Sequence, residues 1–411
     1  MGKVTGATIF YDDGSCSHTE NAQHLAPFDD FYRIEFEYDY GLHLLPSQFS
    51  SNKGMWRYHS LLPLEYEEIL YPLPIGNTPL VALRGLRELL DLPSLWIKDE
   101  TRSPTGSNKD RATALILENA LHNDIHTISC ASTGNVAVSL AIGAAACGKK
   151  AVIFVPADVS DTKLLLMCMS GATVFKVIEG YEAAVQISRR AARIFGWYDR
   201  NTGYNPLTVE AKKTVALEIW EQLGYQLPDV VVIPVGDGVT FSGIAKGFRE
   251  LKLCGATSTL PRLIGIQAAG CSPLKVAWER NEEIHPTRPA TIADGIAVGF
   301  PTYGTVTLHN VREHAGAFLT VSDSAIIEAV NTLTSHGGIL AEPAGAAAFA
   351  GVQTALDVGL IQKNQVVVVL ITGTILKTPH YIHPLSSNVV HQISASIDDE
   401  QLYEIHLSEI E

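Results

Sequence analysis

The sequence predicts an α/β protein built on parallel sheets with helices covering both faces. Short β-branched apolar runs recur at 127–131, 150–155, 172–177, 230–235, 263–267 and 366–372. Helix-length amphipathic stretches such as 161–170, 181–195 and 211–223 separate them. The runs are almost continuously apolar rather than alternating, which is the pattern of strands buried on both faces. With 411 residues and 46% hydrophobic content, the chain has room for two such domains. Right-handed crossovers then place the strand-to-helix loops along one sheet edge, where ligands bind.

Composition narrows the class of function. The net charge is −14, and lysines and arginines are scattered rather than clustered. That argues against a nucleic-acid surface and favours a small-molecule enzyme. No apolar run reaches the ~20 residues of a membrane span, and the N-terminus lacks a basic-then-apolar signal pattern, so the expected location is the cytoplasm. The six cysteines are spread out without a CxxC pair, which argues against both a disulfide framework and a zinc site. Cys130, Cys147, Cys168 and Cys254 stand in apolar or helical surroundings, as buried free thiols do.

Along the chain, Phe31-Tyr-Arg-Ile-Glu-Phe-Glu-Tyr-Asp-Tyr40 alternates and reads as an edge strand within a structural cover or oligomer arm. Cys16 stands by itself, so no metal is indicated there. The stretch Ser103-Pro-Thr-Gly-Ser-Asn-Lys-Asp-Arg111 lies between a strand pattern at 94–98 and a helical composition at 112–120. Pro104 and Gly106 force a turn, which puts Lys109 at a helix N-terminus. The partial positive charge there disfavours an ammonium and lowers its pKa. Such a lysine suits Schiff-base chemistry as a neutral amine, the alternative being a solvated surface lysine.

Other strand ends carry polar groups. Residues 230–243 read as a buried strand and a glycine loop, followed by a helix over 244–253. Glycines let backbone amides approach a phosphate, and the helix N-terminus favours the anion. The Asp237 carboxylate repels a phosphate, so its side chain is expected to turn away while its amide contributes; the Thr240 hydroxyl is an extra donor. At 129–138 a second strand leads into a helix, where Ser132 and Thr133 suit either an N-cap or an anion cradle. Thr372 ends a central strand over 366–372.

Pro104-Thr-Gly-Ser-Asn-Lys-Asp-Arg111 resembles the lysine motif of threonine synthases and their relatives among fold-type II pyridoxal phosphate enzymes. Ser132-Thr-Gly-Asn135, Pro234-Val-Gly-Asp-Gly238, Glu342-Pro-Ala-Gly-Ala-Ala347 and Thr372-Gly-Thr-Ile-Leu-Lys377 match that family in order. Pro74-Ile-Gly-Asn-Thr-Pro-Leu-Val81 resembles its strand entry, and Thr291-Ile-Ala-Asp-Gly-Ile296 resembles the related serine/threonine dehydratases. The resemblance implies two parallel-sheet α/β domains with pyridoxal 5′-phosphate in the cleft between them. It divides the chain into an extension (1–65), a large domain (66–112 plus 211–386), a small mobile domain (113–210) and a tail (387–411) too short for a regulatory domain of ~50 residues. By resemblance, Lys109 carries the cofactor and then acts as general base. Gly236, Asp237, Gly238, Val239 and Thr240 surround the cofactor phosphate. Asn135 meets the ring hydroxyl and Thr372 the pyridine nitrogen, while Ser132, Thr133, Gly134 and Val136 hold the substrate carboxylate. Lys377 is expected to be a surface or cap lysine. The partner is an amino-acid substrate, and a homodimer is the expected assembly.

The chain departs from threonine synthases around the substrate. Thr208 stands where they commonly place an arginine, Val136 replaces a frequent threonine, and Asn108 a phenylalanine. Loss of a guanidinium fork weakens a substrate-phosphate site. Three activities therefore stand: threonine synthase-like elimination and replacement, an ammonia-lyase or dehydratase reaction on serine, threonine or 2,3-diaminopropionate, and a catalytically silent scaffold.

Overall fold

In the computed structural model, alternate residues of the central strands enter different cores. Val230 and Val232 pack into one cluster with Val367, Val369 and Ile371, whereas Val231 and Ile233 pack into another with Val368 and Leu370. A sheet covered this way on both faces needs apolar residues at every position, which is why the runs do not alternate. The structure describes residues 4–20, 32–41, 52–132 and 134–378.

The chain opens with β1 (Val4–Tyr11), β2 (Cys16–Thr19) and β3 (Tyr32–Tyr38), an antiparallel sheet of order β2-β1-β3. The alternating stretch at 31–40 is thus an edge strand, as its pattern suggests. Its partner β1 is not legible, because Thr5, Gly6 and Thr8 interrupt its apolar pattern.

The larger sheet has order β12-β11-β10-β13-β5-β4. Its first pieces are β4 (Leu80–Val81), α1 (Arg84–Leu90) and β5 (Leu95–Asp99), followed by α2 (Lys109–His122). The chain then builds a second, wholly parallel sheet of order β8-β7-β6-β9. In chain order this part comprises β6 (Thr127–Ala131), α3 (Asn135–Ala146), β7 (Lys150–Pro156), α4 (Asp161–Met169), β8 (Thr173–Val177), α5 (Tyr181–Phe195) and β9 (Tyr198–Asp199). It returns through α6 (Leu207–Gln222), β10 (Val230–Pro234), α7 (Val239–Leu253), β11 (Arg262–Ala268), α8 (Pro273–Arg280), α9 (Gly304–Glu313) and β12 (Ala317–Val321). Helices α10 (Asp323–Gly337) and α11 (Pro343–Asp357) precede β13 (Val367–Ile371). All pairings of the larger sheet are parallel except β4 with β5.

Two boundaries differ from expectation in a way that matters. Helix α7 starts at Val239, not 244, which places Thr240 in its first turn. Helix α6 starts at Leu207, not 211, which places Thr208 inside it. In both cases polar residues beside Gly or Pro mask a helix start. The N-terminal sheet lies on these helices. The Tyr38 hydroxyl donates to Glu210 Oε2 (2.8 Å), Lys246 donates to the Phe36 carbonyl (2.7 Å) and Arg249 pairs with Glu35. Beneath β3, Lys213 bridges Glu210 (2.6 Å) and Glu250 (2.9 Å).

Cys130, Cys254 and Cys271 are buried, while Cys168, expected in a buried setting, is exposed on α4. Among the described residues no helix is long and apolar enough to cross a membrane, and no group of His, Cys, Asp or Glu is arranged to hold a metal ion.

Candidate active site

The C-terminal ends of β10 and β13, neighbours in the larger sheet, face one cavity together with the end of β6 and with Asn108 and Lys109 from the stretch after β5. Backbone bonds join the stretches that follow β5 and β13. The Asn108 amide donates to the Thr372 carbonyl (2.9 Å), the Thr374 amide to Gly106 (2.9 Å) and the Glu342 amide to Gly373 (2.9 Å). Motifs distant in sequence thereby become one surface. Gly106 has φ +70, and a Cβ there would lie 2.5 Å from Thr374 Cγ2, so the turn ahead of Lys109 requires glycine.

Lys109 is the first residue of α2 and lines the cavity. Its pKa is lowered chiefly by burial, with the charges of Arg200 and Lys377 adding to the shift and Glu342 opposing it. From sequence only the helix terminus was visible; the structure adds desolvation. Lys377 is a correction: it is buried, and its ammonium donates to the carbonyls of Thr105 (2.9 Å) and Gly106 (3.3 Å). It pins the turn ahead of Lys109 instead of facing solvent. Behind the turn, Arg111 is wholly buried between Glu100 and Glu218, each at 2.7 Å, and Lys98 also pairs with Glu218 (2.7 Å).

Gly236, Asp237, Gly238, Val239 and Thr240 all line the cavity, as do Ser132, Asn135, Val136 and Thr372. Gly134 does not. Its amide donates to Ser132 Oγ (3.0 Å), and a Cβ there would lie 2.7 Å from Lys163 Nζ. Ser132 thus closes a turn ahead of α3 without capping it, since the N-cap is Gly134 and no side chain bonds there, and Thr133 lies outside the described residues. The Asp237 side chain is held by Thr302, whose amide (2.8 Å) and hydroxyl (2.7 Å) both donate to Oδ1. Burial pushes the Asp237 carboxyl up to about 6 against these bonds. Thr208 is buried with its hydroxyl on the Asn205 carbonyl (2.7 Å), and it does not line the cavity.

Glu342 and Tyr181, given no role from sequence, also line the cavity, and so does Lys212. Glu342 stood in a recognised motif, which was the available signal. The Lys212 ammonium donates to Thr240 Oγ1 (2.8 Å) and has no carboxylate at ion-pair distance among the described residues. Burial, and then the charges of Lys109 and Arg200, hold its pKa well below that of free lysine.

This geometry suits an aromatic phosphate ester carrying a carbonyl. A buried ammonium beside the α7 N-terminus needs an anion. Thr240 Oγ1 already accepts from Lys212 and from Asn108 Nδ2 (3.2 Å), so its own hydrogen is free to donate. Asn135 Nδ2 donates to Glu342 Oε1 (2.6 Å), while Asn135 Oδ1, Asn108 Oδ1 and Glu342 Oε2 are buried without partners among the described residues. Buried orphan oxygens lining a cavity call for a polar ligand. Gly238 has φ +92, and a Cβ there would lie 2.1 Å from Thr307 Oγ1. Gly238→Ala is therefore expected to displace the loop and weaken phosphate-ester binding at least ~10-fold in equilibrium dialysis; unchanged affinity would remove this loop from the site.

The fold and this cavity define a pyridoxal-phosphate enzyme of the two-sheet α/β class. Residues 71–373 match the family described as pyridoxal-phosphate dependent enzyme, and the chain belongs to that family. It is 36% identical over 329 residues to the threonine synthase of Methanocaldococcus jannaschii, spanning 79% of this chain and 81% of that protein. It is 32% identical to the threonine synthase of Mycobacterium tuberculosis, spanning 78% of this chain and 88% of that one. Among solved structures, diaminopropionate ammonia lyase from Escherichia coli shares the fold, with TM-score 0.68, 19% identity and coverage of 85% and 96% of the two chains. The T.th. threonine deaminase has TM-score 0.61 and 26% identity, covering 72% of this chain and 92% of that one. Pyridoxal 5′-phosphate is accordingly the cofactor, and elimination chemistry at a β- or γ-substituted amino acid is the reaction class. The N-terminal sheet precedes the matched region.

Proposed function

We propose that this protein performs elimination or replacement on a β- or γ-substituted L-amino acid, with Lys109 as cofactor carrier and general base. The observation that carries the reading is the convergence of Lys109, Asn135, Thr372 and the Gly236–Thr240 loop on one cavity whose buried oxygens lack partners among the described residues. When bound, the cofactor links to an amine through its carbonyl and accepts the electron pair left at the substrate α-carbon. Lys212, Thr240 and the first amides of α7 bind the cofactor phosphate. Asn135, fixed by Glu342, orients the ring. The Thr372 hydroxyl would meet the ring nitrogen and, being neutral, would not protonate it, which would moderate the electron sink. The Lys109 amine, whose pKa burial lowers, removes the α-proton. Ser132 and the first turn of α3, including Val136, receive the substrate carboxylate. We take residues 113–210 as the mobile part, and a homodimer as the assembly.

Two activities fit this chemistry. Threonine synthase-like turnover of O-phosphohomoserine is the first, by likeness to the relatives. Ammonia-lyase or dehydratase chemistry on serine, threonine or 2,3-diaminopropionate is the second. The second is favoured by the cavity itself: no arginine lines it among the described residues, Thr208 is turned into α6, and Asp237 is present. The test is a spectral titration of the purified protein with amino acids bearing hydroxyl, amino, phosphate and acyl leaving groups, with product analysis. Threonine identifies the first activity and a 2-oxo acid the second; spectral silence with every amino acid would refute both.

A further inference from the structure

Beyond Asp237 the cavity continues into a side chamber of about 200 Å³, which shares Tyr181, Thr202, Asp237 and Val298 with it. Tyr181, Tyr204 and Phe300 wall this chamber, Asp237 and Glu182 supply carboxylates, and Gln186 an amide. No lysine or arginine is among the described residues that line it. We propose that this chamber is an amine-recognising subsite, which receives a primary ammonium group presented toward Lys109. The inference rests on the reading above and names the substrate chemistry of that same site.

Aromatic walls with carboxylates and no cation form an environment for an ammonium, not for a phosphate. Asp237 Oδ1 is taken by Thr302, but Oδ2 is buried without a partner among the described residues. Only glycine at position 203 spares that oxygen, since a Cβ there would lie 2.8 Å from Oδ2. Glu182 stands in the first turn of α5, where it offsets the partial positive charge of the helix N-terminus. Arg33 and Arg189 approach Tyr204, at 4.7 and 3.7 Å from the ring centroid, yet neither lines the chamber. Lys109 and Lys212 line the inner cavity and not the chamber. An ammonium entering from the inner cavity therefore meets Asp237 first.

The sign of the pH dependence follows. The carboxyl of Asp237 is raised to about 6 by burial, against the Thr302 bonds and the charges of Arg33 and Lys212. Above that value it is a carboxylate and attracts an ammonium; as pH falls through it, the attraction is lost. Tyr181, whose own ionisation burial pushes far up, stays neutral throughout.

The ammonium has two sources open to it, a distal amino group on the amino-acid substrate or a separate primary amine. The holoenzyme is assayed with L-2,3-diaminopropionate, L-serine and O-phospho-L-serine, which share one carbon skeleton. The expected kcat/KM ratio favours diaminopropionate over phosphoserine by at least ~10-fold, and this preference declines below about pH 6. Asp237→Asn and, independently, Gln186→Lys should each reduce it at least ~10-fold. Gln186 lies outside the cofactor loop, so that variant remains informative if Asp237→Asn fails to load. Thermal shift of the protein by ethylamine, in the presence of L-alanine, separates the sources: a Gln186→Lys-sensitive shift indicates a separate amine, and no shift indicates the substrate's own. A preference for phosphoserine that neither variant alters would overturn the subsite. Spectral silence with all three amino acids would instead refute the reaction assignment, with the ethylamine shift still reporting on the chamber.

Discussion

Lys109→Ala is expected to abolish covalent attachment of the cofactor and to lower turnover by ~10³-fold or more. In the proposed function two roles converge on one nitrogen, so a single substitution removes both. The amine that links the cofactor is lost, and with it the base that takes the α-proton, a contribution of ~10²–10⁴ by itself. The variant should still fold, because Lys109 forms no ion pair among the described residues and its neighbours are tied by Lys377 and Arg111. Borohydride reduction followed by peptide mass analysis checks the first role, and added primary amines check the second by partial rescue. Label retained on another lysine would show that the cofactor is carried elsewhere.

The second large effect concerns stability. Arg111→Met should destabilise the protein by about 3–5 kcal/mol, because it leaves Glu100 and Glu218 buried with one cation removed. Arg111 has no exposed surface, and its guanidinium donates to both carboxylates and to Thr214 (2.9 Å). Lys98 still faces Glu218, but among the described residues Glu100 keeps only the Thr78 hydroxyl (2.6 Å) as a side-chain partner. Urea unfolding of Arg111→Met measures the loss, and the triple replacement with Glu100→Gln and Glu218→Gln should recover part of it. Because Arg111 lies two residues beyond Lys109 on α2, cofactor loading should fall in parallel with stability. A change below ~1 kcal/mol would mean that water or rearrangement compensates the two carboxylates.

The central parallel strands were readable because burial on both faces leaves them wholly apolar, as in Val230–Pro234 and Val367–Ile371. Asn135 and Thr372 were readable because each stands just beyond the end of a parallel strand, beside glycines or small hydroxyl residues, and Lys109 because Pro104 and Gly106 mark a turn ahead of its helix. Helix starts at Leu207 and Val239 were not, since their N-cap residues, Pro206 and Gly238, have no side chain that caps. Lys377 shows the same limit: a lysine in a polar loop reads as exposed, and only the fold reveals two carbonyls waiting for it. Thr208 shows the converse, where a position suspected of facing substrate turns inward to its own helix.

The parallel α/β architecture, the helix-start lysine proposed here for attachment and the glycine loop were all legible in the order of residues, because periodicity and backbone demands are local. Where charges settle was decided by the folded molecule. It put Lys212 beside Thr240 without a carboxylate at ion-pair distance among the described residues, set Glu342 against Asn135, and placed Asp237 between the inner cavity and an aromatic chamber. Such placements depend on segments far apart in the chain, and the electrostatics of a buried group depends on everything around it.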